Sequence, residues 1–359
     1  MGCCFSRKTA GEDLLWGMDG KRHAFGQFSM AMAQANATLE DQAQVYASPS
    51  TTYIGVYDGH GGHDAARFVK SRLFHYVNKF RRERDGLSED TISKSFDATE
   101  EDFINLAKRT WVSKPVMASV GTCCLFGAIA DGFLYVANSG DSRAVLGRKS
   151  GGRVVAERLT SDHNVGVEEV RKEVRDMHPD DSHIVVFNQG VWRIKGIIQV
   201  SRSIGDMYLK SPELCRDPMF RMSVCPIPIK RPVMTSKPCV HIRRLTHQDL
   251  FLIFASDGLW EQLSDADAVR IVSRTSRKGA AKKLVKAAIN EAARKREMRY
   301  ADLMEIEKGG RRHFHDDITV IVVFLDDSKL SNDEKTLIFN APMDIYSLHN
   351  NQTETETDD

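Results

Sequence analysis

From about Phe25 onward the chain alternates short β-type runs with a few amphipathic stretches, the pattern of a layered α/β protein, and no internal repeat interrupts it. Residues 52–57 are apolar and β-branched and stop at Asp58-Gly59-His60-Gly61-Gly62, a loop too rich in glycine to prolong either kind of element. Ala65, Phe68, Val69, Leu73 and Tyr76 then follow helical spacing. Ile92, Phe96, Phe103 and Leu106 mark a second helix, with Ser88 as its N-cap and Glu89-Asp90 in its first turn. Residues 123–130 and 133–138 read as strands joined by Asp131-Gly132, a dipeptide that tolerates positive φ and so suits a tight hairpin. Further strands are expected at 142–146, 184–187, 197–200, 239–243, 250–255 and 318–324. They are too many, and too closely spaced in the middle, for a parallel βαβ sheet, so the pairing should be mainly antiparallel.

Six prolines between 208 and 238 exclude a helix interior or a central strand, and this stretch reads as a flap-like insertion. Residues 279–300 place Ala281, Leu284, Val285, Ala288 and Ala292 on one face among many lysines and arginines. The simplest reading is a core-packed helix with a solvated cationic face. The chain thus divides into an N-terminal segment 1–24, one main domain 25–327 and a polar tail 328–359.

Composition narrows the class. Lys+Arg 50 against Asp+Glu 49 leaves a net charge of +1, so no global field exists to hold nucleic acid, and electrostatic function must be local. The seven cysteines are scattered without a C-x-x-C pair, which points to a reducing compartment, cytosolic or nuclear. None sits in a phosphate-binding loop of the thiol-phosphatase kind. The longest apolar runs fall far short of the roughly 20 residues that span a bilayer.

The N-terminus, however, carries a different membrane signal. Met1-Gly2-Cys3-Cys4-Phe5-Ser6 fits the N-myristoylation pattern at Gly2, with Cys3 and Cys4 as palmitoylation candidates. One myristoyl chain binds only marginally, and a second acyl chain makes anchoring stable.

Candidate chemistry lies in carboxylates at the ends of apolar runs. Asp58 follows one run, Asp257 follows 250–256, and Asp316-Asp317 precedes 318–324. Strand ends hold side chains rigidly, and carboxylates gathered at one rim need cations. All-oxygen donors select Mg²⁺ or Mn²⁺ over zinc. Glu40-Asp41 and Asp141 are further acidic positions of the same kind, although each taken singly reads as a turn or cap residue. His178-Pro179-Asp180-Asp181-Ser182-His183 reads as a polar loop and not as a metal site, and Trp192 as a strand residue.

Asp58-Gly59-His60-Gly61-Gly62 resembles the signature of the metal-dependent protein serine/threonine phosphatases of type 2C. Leu39-Glu40-Asp41 precedes it, and Ser139-Gly140-Asp141-Ser142-Arg143, Ser201-Arg202-Ser203-Ile204-Gly205-Asp206, Ser256-Asp257-Gly258-Leu259-Trp260 and Asp316-Asp317-Ile318-Thr319 follow in the family's order, covering about residues 25–327. The resemblance implies an α+β fold, a central sandwich of two antiparallel sheets flanked by helices, with two Mg²⁺ or Mn²⁺ ions at one end. It implies that Asp58 bridges the ions, that Gly59 offers its carbonyl, that Asp257 and Asp316 complete one shell, and that Glu40 and Asp41 support the other through water. Asp141 matches the position tied to a third, weaker ion. A water or hydroxide bridging the ions would attack phosphorus directly, and His60 is the natural general acid for the departing serine or threonine oxygen.

Two positions depart from the family pattern. Asn36 stands where many members carry an arginine that grips the substrate phosphate, which weakens phosphate capture and raises the alternative of a phosphoprotein-binding pseudophosphatase scaffold. Gly121-Thr122-Cys123-Cys124 reads as tolerated core variation. Leu14-Leu15-Trp16, Phe28-Ser29-Met30-Ala31 and Gln34-Ala35-Asn36 resemble a plant branch of the family, which implies plasma-membrane proton pumps as substrates and small inhibitor proteins as partners. The expected protein is a monomer acting on phosphoproteins at the cytoplasmic face of the plasma membrane, with a cytosolic or nuclear pool.

Overall fold

The computed structural model describes residues 15–213, 229–326 and 343. The chain enters through β1 (Leu15–His23), β2 (Gly26–Ala33), β3 (Gln42–Ala47) and β4 (Thr51–His60), then forms α1 (Asp64–Glu83) and α2 (Glu89–Thr110). A meander follows: β5 (Gly121–Ala130), β6 (Phe133–Ser139), β7 (Arg143–Ser150) and β8 (Arg153–Arg158). Next come α3 (Glu168–Met177), the hairpin β9 (Val185–Asn188) and β10 (Val191–Ile194), the short β11 (Ile204–Gly205), and α4 (Met207–Lys210). The last part comprises β12 (Cys239–Arg244), β13 (Asp249–Ala255), α5 (Asp257–Trp260), α6 (Asp265–Ser273), α7 (Ala280–Lys295), α8 (Tyr300–Glu305) and β14 (Ile318–Leu325).

Apart from the separate β9-β10 hairpin, the strands build two sheets, β1-β2-β14-β13-β7-β8 and β12-β6-β5-β4-β3, with β11 beside β5. Every strand pairing within them is antiparallel. Successive strand residues point to opposite faces, and β2 shows what that does here. Met30 and Met32 join Ile54, Val56, Leu125, Leu252, Phe254 and Ile321 between the sheets, while Ala31 and Ala33 face the helices. On that outer face α5 to α8 bury Leu284, Val285 and Ile289, each fully enclosed and contributing about 1.5–3 kcal/mol. On the opposite outer face α1 and α2 pack Val69, Leu73 and Phe96 against Tyr53, Tyr57 and Phe126. The result is the expected sandwich of two antiparallel sheets between helical layers.

Local chemistry sets the element boundaries. The Ser88 side chain accepts from Thr91 N–H, capping α2 as expected. Asp131 and Gly132 both have positive φ, 53° and 75°, as a two-residue hairpin turn requires. In α7 the apolar face is buried and Lys283, Lys286 and Arg294 lie exposed, in line with the core-packed reading. The helix ends at Lys295, short of Tyr300, because Glu297 turns to positive φ.

Other expectations are revised. Strand β4 runs on through the glycine motif to His60, held by pairing of Asp58, Gly59 and His60 with Cys123, Thr122 and Gly121. Residues 197–200 form no strand, only isolated bridges from Ile198 and Val200, because Lys195 and Gly196 at positive φ turn the chain away. The first sheet begins at Leu15, inside the stretch assigned to the N-terminal segment 1–24. The residues with acylation chemistry, Gly2, Cys3 and Cys4, lie outside the described residues, as do 214–228 of the flap-like stretch and all of 328–359 except Met343, which pairs with Val45.

Candidate active site

One end of the sandwich collects the acidic positions. Asp58 lies near the end of β4, Asp141 in the turn between β6 and β7, and Asp257 opens α5 just past β13. Each offers a carboxylate oxygen, and the three oxygens lie within 4.8 Å of one another. Asp257 N–H points to Asp58 Oδ2 at 3.4 Å across 199 residues of sequence. Burial pushes the carboxyls of Asp58 and Asp257 well above the usual range, and mutual repulsion adds to it, from Asp41, Asp316 and Asp141 for Asp58 and from Asp58, Asp141 and Asp316 for Asp257.

Such a cluster is unfavourable as it stands. Asp257 Oδ1 is buried with no hydrogen-bond partner among the described residues, and the donors are all oxygen. Both features fit hard divalent cations, which turn the repulsion into coordination. Asp141 is the exception within the trio. Its Oδ2 accepts from Asn164 Nδ2 at 2.7 Å and its Oδ1 from Cys123 Sγ at 3.2 Å, so it is already partly satisfied.

Glu40, Asp41, Asp316 and Asp317 form the adjoining wall. Buried Asp317 holds the loop before β3, accepting from Ala35 N–H at 2.6 Å and Asn36 N–H at 3.0 Å through Oδ1, and from Glu40 N–H at 2.8 Å through Oδ2. Asp41 accepts from Ser256 Oγ at 2.8 Å. Burial, with Asp317 and Asp316 beside it, pushes the Glu40 carboxyl up to about 7. Gly59 sits where a Cβ would lie 2.5 Å from the Glu40 carbonyl oxygen, so only glycine lets β4 lie this close to the acidic loop. Asn36, at the position where many family members carry a phosphate-gripping arginine, donates an amide N–H to Asp316 Oδ1 at 3.0 Å. The other oxygen of Asp316 faces Arg312 Nη2 at 2.8 Å.

His60 is not isolated. Its Nε2 lies 2.7 Å from Oδ2 of Asp206, which is fully buried. Burial works against the imidazolium, but the Asp206 charge and hydrogen bond outweigh it and raise the His60 pKa. Burial likewise opposes the Asp206 charge, yet His60, Lys210 and Ser203 hold its carboxyl below the usual range. Ser203 Oγ donates to the same oxygen at 2.5 Å. The 203–206 turn is fixed from beneath by Glu100, which accepts from Gly205 N–H at 2.8 Å and from Lys210 Nζ at 2.6 Å.

Room for the pair comes from Gly121, where a Cβ would lie 2.1 Å from Asp206 Oδ2 and 2.4 Å from His60 Nε2. Residues 121–123 thus shape this end of the sandwich, Thr122 Oγ1 also donating to the Asp58 carbonyl at 3.0 Å, while Cys124 is buried in the core as expected. The motif containing Asp206 assigns that residue no role, and no motif marks Arg312. His178, by contrast, is buried and bonded to the carbonyls of Val174 and Pro232, a structural role as expected.

The profile of the family Protein phosphatase 2C matches residues 18–296. Among plant relatives, "Probable protein phosphatase 2C 78" of Oryza sativa subsp. japonica is 60% identical over 344 residues, covering 94% of this chain and 88% of the relative. "Probable protein phosphatase 2C 63" of Arabidopsis thaliana is 58% identical, covering 98% and 95%. The solved serine-threonine phosphatase 2C of Toxoplasma gondii superposes with a TM-score of 0.64 at 18% identity, covering 87% of this chain and 99% of that one, a likeness of fold.

Proposed function

The chain belongs to the protein phosphatase 2C family and is a protein serine/threonine phosphatase, and from that premise we propose that the Asp58–Asp141–Asp257 end of the sandwich hydrolyses phosphoserine and phosphothreonine with His60 as proton donor. The observation that carries this reading is the conjunction of a converging all-carboxylate trio with a histidine held on a buried aspartate.

Asp58 and Asp257, supported by Glu40, Asp41, Asp316 and the more weakly available Asp141, would hold the divalent ions, taken here as two Mg²⁺ or Mn²⁺ with a third weaker site. Bound there, such ions supply charge neutralisation for the phosphate and a lowered pKa for water. The protein's own contribution is the proton. With Nε2–H donated to Asp206, the imidazolium of His60 keeps a second N–H at Nδ1. As a water oxygen bonds to phosphorus and the ester P–O bond breaks, the departing serine or threonine oxygen takes that proton, and His60 is left neutral. No covalent phosphoenzyme is needed.

Turnover of a phosphothreonine peptide by the purified chain with Mn²⁺, abolished by EDTA, is the test. Binding of the peptide without turnover would instead identify the scaffold reading that Asn36 raises. The acylation pattern at Gly2, Cys3 and Cys4 supports placement at the cytoplasmic face of the plasma membrane, and the softer likeness to a plant branch supports proton pumps as substrates and small inhibitor proteins as partners. Fractionating cells tests the anchor: a Gly2→Ala form that pellets with membranes like the wild type overturns it.

A further inference from the structure

A phosphate monoester dianion entering this acidic end needs hydrogen-bond donors for the oxygens that face away from the ions. Arg312 is placed to give them. Its Nη2 lies 2.8 Å from Asp316 Oδ2, its side chain is about half exposed, and its other N–H groups bond no other described residue.

The backbone beneath it is fixed. Arg311 is buried and donates Nε to the Ile306 carbonyl and Nη2 to the Met304 carbonyl, both at 2.7 Å. Gly309 N–H bonds the Ala35 carbonyl at 2.8 Å, tying the same loop to the segment that carries Asn36. Arg312 therefore extends from a rigid turn toward the site, with the planar donor fork that suits phosphate oxygens. Asn36 commits one of its two amide N–H groups to the opposite oxygen of Asp316 and carries no charge, so it offers a phosphate neither a cation nor a paired donor fork.

We propose that Arg312 is the cation that binds the substrate phosphate in this chain, reaching the site from the 310–313 turn. The inference rests on the phosphatase reading above. It distinguishes Arg312 from a residue that only holds Asp316, because a holder would act on metal affinity and a phosphate ligand on anion affinity.

The test uses the full chain loaded with Mn²⁺ and titrated calorimetrically with inorganic phosphate, alongside steady-state kinetics on a phosphothreonine peptide. Arg312→Ala should weaken phosphate binding by about tenfold or more and raise KM for the peptide in parallel, with a smaller effect on kcat and unchanged Mn²⁺ affinity. Arg312→Lys should restore part of the loss, as a point charge without the fork. Unchanged phosphate affinity in Arg312→Ala overturns the proposal. So does a fall in Mn²⁺ affinity with wild-type phosphate affinity at saturating metal, which would make Arg312 a holder of Asp316. If the wild type failed to turn over peptide, the functional reading would fall, while the phosphate titration would still decide the role of Arg312.

Discussion

Replacing Asp206 by asparagine keeps the side chain's shape and removes its charge, which isolates what that charge does for His60. The carboxylate is fully buried, 2.7 Å from His60 Nε2 and 2.5 Å from Ser203 Oγ. An amide oxygen can still accept from Ser203, so the turn at 203–206, tied to Glu100 and Lys210, should survive. What is lost is one charge-assisted hydrogen bond, worth about 1.5–3 kcal/mol. Above the His60 pKa, losing that stabilisation of the imidazolium lowers the fraction of enzyme that carries the acid by roughly 10- to 150-fold, and kcat with it. Because Asp206 raises the His60 pKa, its removal should also move to lower pH the limb of the profile where kcat falls with rising pH. An aryl phosphate, whose leaving group scarcely needs a proton, should lose far less, and His60→Gln should show the same split between substrates. The assay is kcat against pH for both substrates at saturating Mn²⁺. Equal losses on the two substrates, or an unmoved basic limb, would refute the pairing as the source of the acid and leave Asp206 a packing residue.

Asp58→Ala and Asp257→Asn should each abolish turnover and sharply weaken Mn²⁺ binding by calorimetry, since each removes a charge from the trio; wild-type affinity and stoichiometry in both would sink the metal assignment. Stability without metal should depend on pH in a defined direction. The Glu40 carboxyl is raised in the fold from 4.5 to about 7, and His60 is raised as well, so the folded state binds more protons than the unfolded one; the contribution is present below the unfolded values and lost as pH rises through the folded ones. In EDTA, Tm should therefore fall between about pH 5 and 8, and added Mn²⁺ should lessen that fall. A Tm in EDTA that is flat or rises over this range contradicts the raised pKa values.

The layers of the fold were legible because they rest on local patterns. Leu250 to Ala255 and Ile318 to Phe324 are apolar on both faces, since one face meets the other sheet and one meets helices, and such runs declare themselves. Strand β1 does not. Asp19, Lys21 and Arg22 interrupt any alternation, because it is an edge strand with a register shift between Met18 and Lys21. Its place is set by pairing with β2, which no window of sequence displays. Strand β8, an edge strand of the same sheet, has no fully buried residue and carries the same weak signal.

At the site the division falls differently. Carboxylates at strand ends can be picked out one by one from composition around a turn, but their convergence is a property of topology: β4, β13 and the β6–β7 turn end at the same rim only because of the sheet order. The motifs that resemble the type 2C phosphatases supplied that convergence in advance, residue by residue. What they did not supply were the partners of the named residues. Asp206 meets His60 across 146 positions, through a space that exists because residue 121 is glycine, and Arg312 meets Asp316 at a spacing of four, one that an ordinary surface ion pair shares. Neither contact has a local pattern of its own. The chemistry of His60 is thus set by a gap in one strand as much as by its own ring, and a single methyl group at position 121 would act on catalysis without touching any residue that the motifs mark as a ligand.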